Sequence, residues 1–533
     1  MHSSPKKTLQ IWHHPYFFHG VFIFFLFLGF VIRYALFYQN FNIEDGDITS
    51  VYHIANHIIT YHELPIIGEP NSIYTLLPHS PLYFYLTALG LLIHNSIFTL
   101  GVMGMLLQFV YIVLLYALAF VLFNKSVALL TGLILVGNQQ FIAQTHVMYQ
   151  RWFEQPFFAA SYLFLALAYT KKNYAYTLYA AICFTIALGI GLHGYAALPV
   201  FLFLIGITLH KTQASLRKYI TVGIIMIGIW SLCYATVLGY LTKNNHLFFA
   251  FQESVYTTSI TGYLREFILN IGRLFYGTLY SDLLPPIIQG GSILLFLSIV
   301  GIAALRKKLH YSPYLLSIIT YIFSIILIAS FLQKDTRDYH FVAAFGPFII
   351  LLSALTQSFV QKAKSDKINT IICTMLLLII GAPSTRFLQQ NQQKQDIYIA
   401  QLNAAKSTTP YIQQLRQENA SWPNQTSIEL YGNTIIGPYD PTDNIFWPIF
   451  EKIAYTKLSQ TTSGITTPLT RTPDNIFVIC SDYKSVQHAE ERCNKAFLTR
   501  HPNFESTLIY TGDSDGKYIL YIGKRKKAPT STQ

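Results

Sequence analysis

The sequence predicts an α-helical polytopic membrane protein with about 11 to 13 transmembrane helices, followed by a soluble α+β domain on the outer side of the membrane. Three observations lead to this fold class. Hydrophobic residues make up 52% of the 533 residues and charged residues only 12%, about half the charged share of an average soluble domain. Long apolar runs recur along the first 384 residues. The composition then turns polar, so we expect two domains, 1–384 and 385–533.

Twelve apolar runs in the first domain are the predicted membrane segments. They cover residues 16–37, 81–93, 97–122, 126–146, 156–170, 174–191, 195–209, 219–241, 287–305, 312–331, 341–360 and 368–384. The run at 81–93 is too short for an untilted span, because the hydrocarbon core is about 30 Å thick. We expect about eleven full spans with a surface or half-inserted helix at 81–93; thirteen spans is the alternative.

Basic residues predict the orientation of these spans. Lys and Arg precede the first run and return between later runs, at Lys6-Lys7, Lys171-Lys172, Arg217-Lys218 and Arg306-Lys307-Lys308. Because cytoplasmic loops carry an excess of Lys and Arg, the N-terminus is predicted to be cytoplasmic and the protein to lie in the plasma (inner) membrane. The long loops 38–80 and 242–286 and the polar domain 385–533 are then extracytoplasmic. The net charge of +12 indicates membrane lipids rather than nucleic acid as partners.

The polar domain shows both strand and helix patterns. Strands are predicted at Ser427–Tyr431, Asn475–Cys480, Thr507–Tyr510 and Tyr518–Ile522 from their alternating character. Helices are predicted at 389–417, with a break at Pro410, and at 485–498. Cys480 and Cys493 lie in this domain, where an oxidising compartment would allow one disulfide between them. Two free thiols are the alternative.

The first outer loop contains the densest set of candidate functional residues. It begins with three acids in four positions, Glu44, Asp45 and Asp47. Apolar residues then recur at helical spacing from Ile48 to Ile58, with polar residues such as Tyr52 and Asn56 on the other positions. This pattern predicts an amphipathic helix on the membrane surface. The loop ends in the turn His79-Ser80-Pro81-Leu82-Tyr83.

This loop resembles the first outer loop of membrane glycosyltransferases with the GT-C fold, namely the protein O-mannosyltransferases and the lipid A aminoarabinose transferase. In those families an acid-led segment of the form Asp-Glu-x-x-Tyr-x-x-Ile-Ala opens the loop, and a Lys-Pro-Pro-Leu-Tyr-like turn closes it. Here the first segment reads from Asp47 to Ala55, with Tyr52 and Ile54, and the second is the turn His79–Tyr83. The resemblance covers residues 1–360 in architecture and is sharpest at 44–85.

The resemblance implies that Asp47 is the catalytic base, with Asp45 as the alternative if the register slips by two residues. A carboxylate in this role would deprotonate or orient the acceptor as the sugar leaves its phosphate. The alternative is that these acids cap the following helix. His79 stands where the family has a lysine that binds the lipid-linked phosphate, and the alternative for His79 is a plain interfacial histidine.

Further candidates for binding a phosphate lie at predicted outer turns. Arg151 has aromatic neighbours, and His193 interrupts an apolar stretch. Arg337, Tyr339 and His340 precede the run at 341–360 and resemble the Arg-Tyr turn of many GT-C enzymes. The alternatives are an aromatic membrane anchor at Arg151, a simple turn at His193 and an ordinary polar loop at 334–340.

No nucleotide-binding glycine loop and no zinc-spaced Cys/His set occurs in the sequence. This pattern favours a transferase that takes its sugar from a polyprenyl-phosphate donor and passes it to a glycan, lipid or protein acceptor on the outer face. The acids could hold a divalent metal ion, but no cofactor is predicted. The rival function is a lipid-linked sugar flippase or another polytopic transporter. A membrane scaffold is a third alternative.

Overall fold

The structure is a computed structural model. It describes residues 16–39, ten residues of 51–65, 80–142 except 96, 139 and 140, 150–243 except 192, 261–270 except 268, 312–331, 342–362, 407–418 except 408, 426–438 except 433 and 434, 475–481, 494–511 except 496 and 500, and 518–526. The chain divides into two compact units. The first comprises residues 1–37, 58–90 and 101–388, and the second comprises 38–57, 91–100 and 389–533.

The described part of residues 16–362 includes ten helices with continuous bounds, besides helical residues within 51–59 and 261–270. They are α1 (Phe17–Gln39), α2 (Leu82–Leu91), α3 (Ile97–Leu122), α4 (Lys125–Gly137), α5 (Gln150–Lys171), α6 (Tyr174–Ile190), α7 (His193–Lys211), α8 (Leu216–Lys243), α9 (Ser312–Phe331) and α10 (Val342–Lys362). Each coincides with one of the predicted apolar runs, and α2 is as short as its run predicts. The runs at 287–305 and 368–384 lie outside the described residues.

Three of the described helices are long and apolar enough to cross a membrane: Phe17–Leu36, Thr99–Leu122 and Leu216–Leu238. The others contain shorter apolar stretches of 10–17 residues. On the first and third of these helices, large apolar side chains such as Phe24, Phe27 and Leu232 are exposed. A membrane protein presents such surfaces to lipid, which solvates them as well as a protein core would.

The run at 126–146 is not one continuous helix, contrary to the expectation. Helix α4 ends at Gly137, and Asn138 adopts an extended backbone conformation. The Asn138 side chain then accepts a hydrogen bond from the Phe141 N–H at 3.2 Å, which satisfies a backbone donor where the helix restarts. Short polar side chains compete with the helix in this way, and hydropathy alone does not reveal it.

Helix α5 begins six residues before the apolar run that predicts it. The early start brings Arg151, Trp152, Glu154 and Gln155 into the helix. Pro156 follows in the second turn, where its ring interrupts the regular hydrogen bonding. Trp152 and Glu154 are fully buried and Gln155 is 2% exposed. The bundle therefore encloses polar groups that the apolar pattern placed outside it.

Aromatic side chains form the centre of the helical core. Phe184 of α6 stacks on Phe201 of α7 with ring centroids 3.7 Å apart. Phe158 of α5 stacks on Tyr321 of α9 at 5.2 Å. These contacts connect α5, α6, α7 and α9 in the core of the first unit. Stacked rings add to the burial of apolar surface and fix the relative rotation of the helices.

Arg33 is a buried cation within the first apolar span. Its side chain is 1% exposed, and its guanidinium lies over the Phe109 ring at 5.2 Å. Two of its nitrogens donate to the carbonyls of Gly29 and Leu135, each at 3.4 Å. Leu135 is in the last turn of α4, where carbonyls lack partners within the helix and a positive charge is favoured. Arg33 therefore caps α4 from a neighbouring helix.

The second unit contains helix α11 (Thr409–Glu418) and a five-stranded sheet. The strands are β1 (Thr426–Gly432), β2 (Ile435–Pro438), β3 (Asn475–Ser481), β4 (Phe504–Thr511) and β5 (Tyr518–Arg525), in the order β2-β1-β3-β5-β4. Strands β1 and β3 are parallel, and the other pairs are antiparallel. Four strands lie where the alternation predicts them, and β2 was not predicted. Helix α11 begins at Thr409 after a turn at Ser407, and Pro410 fits its first turn. Residues 389–406 of the predicted helix lie outside the described part of the chain.

We predict that the volume of Arg33, more than its charge, stabilises the first unit. Replacing Arg33 with Ala should lower the thermal unfolding midpoint, because a large-to-Ala change in a core costs about 2–5 kcal/mol. Arg33→Met fills most of the space but loses two long hydrogen bonds, so it should lose less stability than the Ala variant. Thermal unfolding in detergent checks this. A Met variant as unstable as the Ala variant would show that the charge dominates.

Candidate functional site

Most of the predicted site residues lie outside the described part of the chain: Asp45, Asp47, His79, Arg337, Tyr339, His340 and Cys493. The backbones of three others are described. Arg151 is the second residue of α5, His193 is the first residue of α7, and Cys480 lies on β3. Cys480 pairs across the sheet with Tyr431 and Ile519.

The turn that closes the first outer loop leads directly into α2. The Ser80 hydroxyl accepts a hydrogen bond from the Leu82 N–H at 3.1 Å, so it caps the start of the helix. Tyr83, 1% exposed, packs edge-on against the Phe153 ring with centroids 5.5 Å apart. Phe153 is two residues from Arg151. The structure therefore brings the start of α2 to the start of α5.

The start of α7 lies against the same part of α5. Oε1 of Glu154 accepts a hydrogen bond from the Gly194 N–H at 2.7 Å, and Glu154 is fully buried. Gly194 directly follows His193. The structure thus places the first turns of α5 and α7, which carry Arg151 and His193, next to each other.

Aromatic hydroxyl and indole groups surround this contact. The indole N–H of Trp230 on α8 donates to the Tyr195 hydroxyl at 2.7 Å. The Tyr234 hydroxyl donates to the Leu188 carbonyl at 3.4 Å, near the end of α6. Tyr195 and Tyr234 both lie close enough to Glu154 to interact with it electrostatically. The carboxyl group therefore sits in a polar cluster enclosed by α5, α6, α7 and α8.

Three helix starts, those of α2, α5 and α7, consequently share one end of the bundle. The charge pattern of the sequence predicts that this end is the outer one. Helix N-termini carry partial positive charge and unpaired N–H groups, which favour anions. A cationic side chain such as Arg151 at such a place suits a phosphate group.

The helix that follows the acidic segment is observed, but its buried face differs from the prediction. Residues 51–52, 54–56 and 58–59 are helical. Tyr52 is 4% and Asn56 8% exposed, although both were predicted to lie off the apolar face. Asn95 explains the difference, because it accepts from the Tyr52 hydroxyl at 3.3 Å and donates to Asn56 Oδ1 at 2.8 Å. This helix is therefore held by polar contacts to the turn between α2 and α3.

Glu154 is the residue of this region that the sequence reasoning missed. It lies just outside the apolar run at 156–170, so hydropathy places it in a solvated turn. A signal was nevertheless present: Glu154, Phe158 and Tyr162 are spaced four residues apart and share one helix face. In a chain with only 25 acidic residues, an acid on the buried face of a helix is a functional candidate.

Comparison with solved structures gives the fold. The chain superposes on the crystal structure of ArnT from Cupriavidus metallidurans bound to undecaprenyl phosphate with a TM-score of 0.57 and 10% sequence identity, over 94% of this chain and 98% of ArnT. The apo form of the same ArnT gives a TM-score of 0.52 at 10% identity, over 92% and 97% of the two chains. The chain has a GT-C fold. The GT-C resemblance seen in the first outer loop is thereby confirmed at the level of the fold.

Sequence comparison matches part of the chain to a known family. Residues 78–240 match the dolichyl-phosphate-mannose-protein mannosyltransferase family. That segment runs from the turn at the end of the first outer loop to the last turns of α8, and so it includes all three helix starts. No curated protein matches the chain. The archaeal oligosaccharyltransferase AglB from Archaeoglobus fulgidus, in complex with an inhibitory peptide and a dolichol-phosphate, matches at 11% identity and a TM-score of 0.47, over 94% of this chain and 74% of AglB.

We predict that Asn95 anchors the helix that follows the acidic segment. Asn95→Ala removes the hydrogen bonds to Tyr52 and Asn56, and loss of a buried hydrogen bond costs about 1–3 kcal/mol. Amide hydrogen exchange of residues 51–59 should become faster, with little change in the sheet. Thr99→Ala, which removes an exposed hydrogen bond to His94 at the same turn, is the matched control. Equal exchange in both variants would contradict the role of Asn95.

Proposed function

We propose that the protein is a membrane glycosyltransferase that moves a sugar from a polyprenyl-phosphate donor to an acceptor on the outer face of the membrane. The observation that carries this proposal is the common bundle end formed by the starts of α2, α5 and α7, with Arg151 and His193 at two of them. The same fold in ArnT was crystallised with undecaprenyl phosphate. The donor's phosphate is the group that such an end would bind.

The phosphate is the leaving group of the proposed reaction. As the bond between sugar and phosphate breaks, negative charge grows on the phosphate oxygens. Arg151, together with His193 and His79 when protonated, would stabilise this charge by charge-assisted hydrogen bonds. Arg337, Tyr339 and His340 are proposed to contribute in the same way. A donor of this kind also suits a membrane protein, because the apolar polyprenyl chain can stay in the lipid while its phosphate reaches this end of the bundle.

The acceptor is activated by a carboxylate in this proposal. Asp47 would remove or orient the proton of the attacking hydroxyl or amine, with Asp45 as the alternative. The reaction then exchanges one bond for another: the acceptor oxygen or nitrogen bonds to the sugar, the sugar–phosphate bond breaks, and the polyprenyl phosphate leaves with its electron pair. No redox step is involved.

We further propose that residues 385–533 form a soluble α+β domain on the extracytoplasmic side of the membrane. The sheet β2-β1-β3-β5-β4 and α11 support this proposal. A disulfide between Cys480 and Cys493 belongs to it, because that compartment is oxidising. Mass spectrometry of non-reduced peptides would detect the linked pair, and two free thiols would exclude it.

The first test of the proposed reaction concerns the two aspartates. Purified protein in lipid is supplied with a panel of radiolabelled polyprenyl-phosphate sugars and with membrane extract as the acceptor source. Asp47→Asn should lower transfer by at least about 100-fold, since general base catalysis contributes about 10²–10⁴. Asp45→Asn should have a smaller effect. Unchanged transfer in the single and double variants, with thermal unfolding equal to wild type, would remove both from the mechanism.

The second test concerns the phosphate. Arg151→Ala should weaken binding of undecaprenyl phosphate about 10-fold or more, because a hydrogen bond to a charged group is worth about 1.5–3 kcal/mol. Arg151→Lys keeps the charge without the bidentate geometry of arginine. Its affinity for undecaprenyl phosphate should lie between those of the wild type and Arg151→Ala. Lys171→Ala, which removes an exposed charge at the opposite end of α5, is the control. Wild-type binding without any sugar transfer, but with flipping of a lipid-linked sugar in vesicles, would favour the transporter instead.

A further inference from the structure

We propose that Glu154 is a positioning residue, which fixes the first turn of α7 against the first turn of α5 and so sets the spacing of Arg151 and His193. This inference rests on the proposed function, because those two residues are the ones proposed to hold the donor's phosphate. It assigns a role to a buried acid that the reaction scheme above does not use.

The geometry of the hydrogen bond supports this role. The first N–H groups of a helix have no partner within the helix, and Gly194 is the second residue of α7. Glu154 Oε1 accepts from that N–H at 2.7 Å, with the carboxyl group fully buried. A negative group is favoured at a helix start, and a hydrogen bond to a charged acceptor gains strength in an apolar environment.

Glycines allow the backbone between α6 and α7 to lie close to the Glu154 carboxyl group. Gly191 ends α6, and a Cβ atom at this position would collide with the carboxyl carbon and Oε2 of Glu154. A Cβ atom at Gly194 would also be crowded, by Leu188 and Phe158. Glycine at position 191 lets the chain between α6 and α7 pass this close to Glu154, and Gly194 leaves room for the neighbouring side chains. We refer to this contact of Glu154 with Gly191 and Gly194 as the joint between α5 and α7.

Aromatic side chains of neighbouring helices surround this joint. Tyr321 of α9 lies within electrostatic range of Glu154, in addition to Tyr195 and Tyr234. The Tyr195 hydroxyl is itself held by the indole N–H of Trp230 at 2.7 Å. Helices α5, α7, α8 and α9 therefore all contribute to the enclosure of the carboxyl group. Water is kept from a hydrogen bond that it would otherwise weaken.

The joint acts on Arg151 and His193 through short covalent paths. Arg151 is three residues before Glu154, which is less than one turn along α5. His193 is bonded directly to Gly194. A movement of α7 relative to α5 would change the distance between Arg151 and His193 by up to the same amount, and a misplacement of about 1 Å can cost about 100-fold in rate. The role requires an acceptor oxygen at position 154 but not a negative charge.

The closing experiment compares Glu154→Ala, Glu154→Gln and Gly191→Ala with the wild type. Gln keeps the acceptor oxygen, Ala removes it, and the methyl group at position 191 displaces it. The control is Ser161→Ala, which deletes a buried hydroxyl of α5 that donates to the Phe158 carbonyl of its own helix, at 2.7 Å. All variants are purified in detergent and used only if they unfold cooperatively.

The first readout does not depend on activity. Amide hydrogen exchange of the peptide covering residues 191–198 should accelerate at least about 10-fold in Glu154→Ala and Gly191→Ala, since the Gly194 N–H loses its acceptor. Glu154→Gln and Ser161→Ala should keep wild-type protection. Unchanged protection in Glu154→Ala would overturn the proposal, whether or not the wild type transfers sugar.

The second readout is transfer kinetics, which separates this proposal from the proposed function. Glu154→Ala should raise KM for the donor and lower kcat/KM about 100-fold, whereas Glu154→Gln stays within about 10-fold of wild type, since a neutral acceptor bonds about half as strongly. Adding Arg151→Ala to Glu154→Ala should cost little more, because both act on the phosphate. A Gln variant as inactive as the Ala variant would show that the charge itself acts in the reaction, and would overturn a positioning role. A wild type without turnover contradicts the proposed function, and the exchange readout still decides the role of Glu154.

Discussion

The helical bundle is organised by one constraint: in an apolar environment, every backbone N–H and C=O at a helix end needs a partner from the protein. Three polar side chains provide such partners across helices. Arg33 donates to the Leu135 carbonyl at the end of α4, Gln108 donates to the Phe141 carbonyl, and Glu154 accepts from the Gly194 N–H at the start of α7. Each of these three side chains lies where another helix ends or restarts.

This constraint has a consequence for function. The end of the bundle that collects the starts of α2, α5 and α7 also collects polar groups, because helix starts require them. The partial positive charge of these helix starts also favours a phosphate nearby. Ser80 satisfies the start of α2 and Glu154 satisfies the start of α7. Stability and ligand binding therefore depend on the same few side chains, and a variant at one of them is expected to change both.

Most of the described helices were predictable, because hydropathy shows which segments are apolar enough to lie in a membrane. The helices α1, α3, α6, α9 and α10 lie at their predicted runs for this reason. Prediction failed where one side chain replaces a backbone partner, as Asn138 does at the end of α4. Prediction also failed at Tyr52 and Asn56. Both were predicted to lie off the apolar face of their helix, but both are buried and form hydrogen bonds with Asn95. Hydrogen bonds between residues 39 and 43 positions apart cannot be detected from the periodicity of the sequence.

The sequence by itself determined the class of the protein, the positions of most of its described helices and the GT-C resemblance of its first outer loop, because composition, period and local motifs are local properties of the chain. It also identified Arg151 and His193 as candidates, since a cation or a histidine interrupting an apolar stretch is visible without a structure. Only the tertiary structure decided that the two begin neighbouring helices, and that Glu154 joins those helices. That decision depends on a hydrogen bond across 40 residues, whose distance is set by how α5, α6 and α7 pack and not by any one of their sequences.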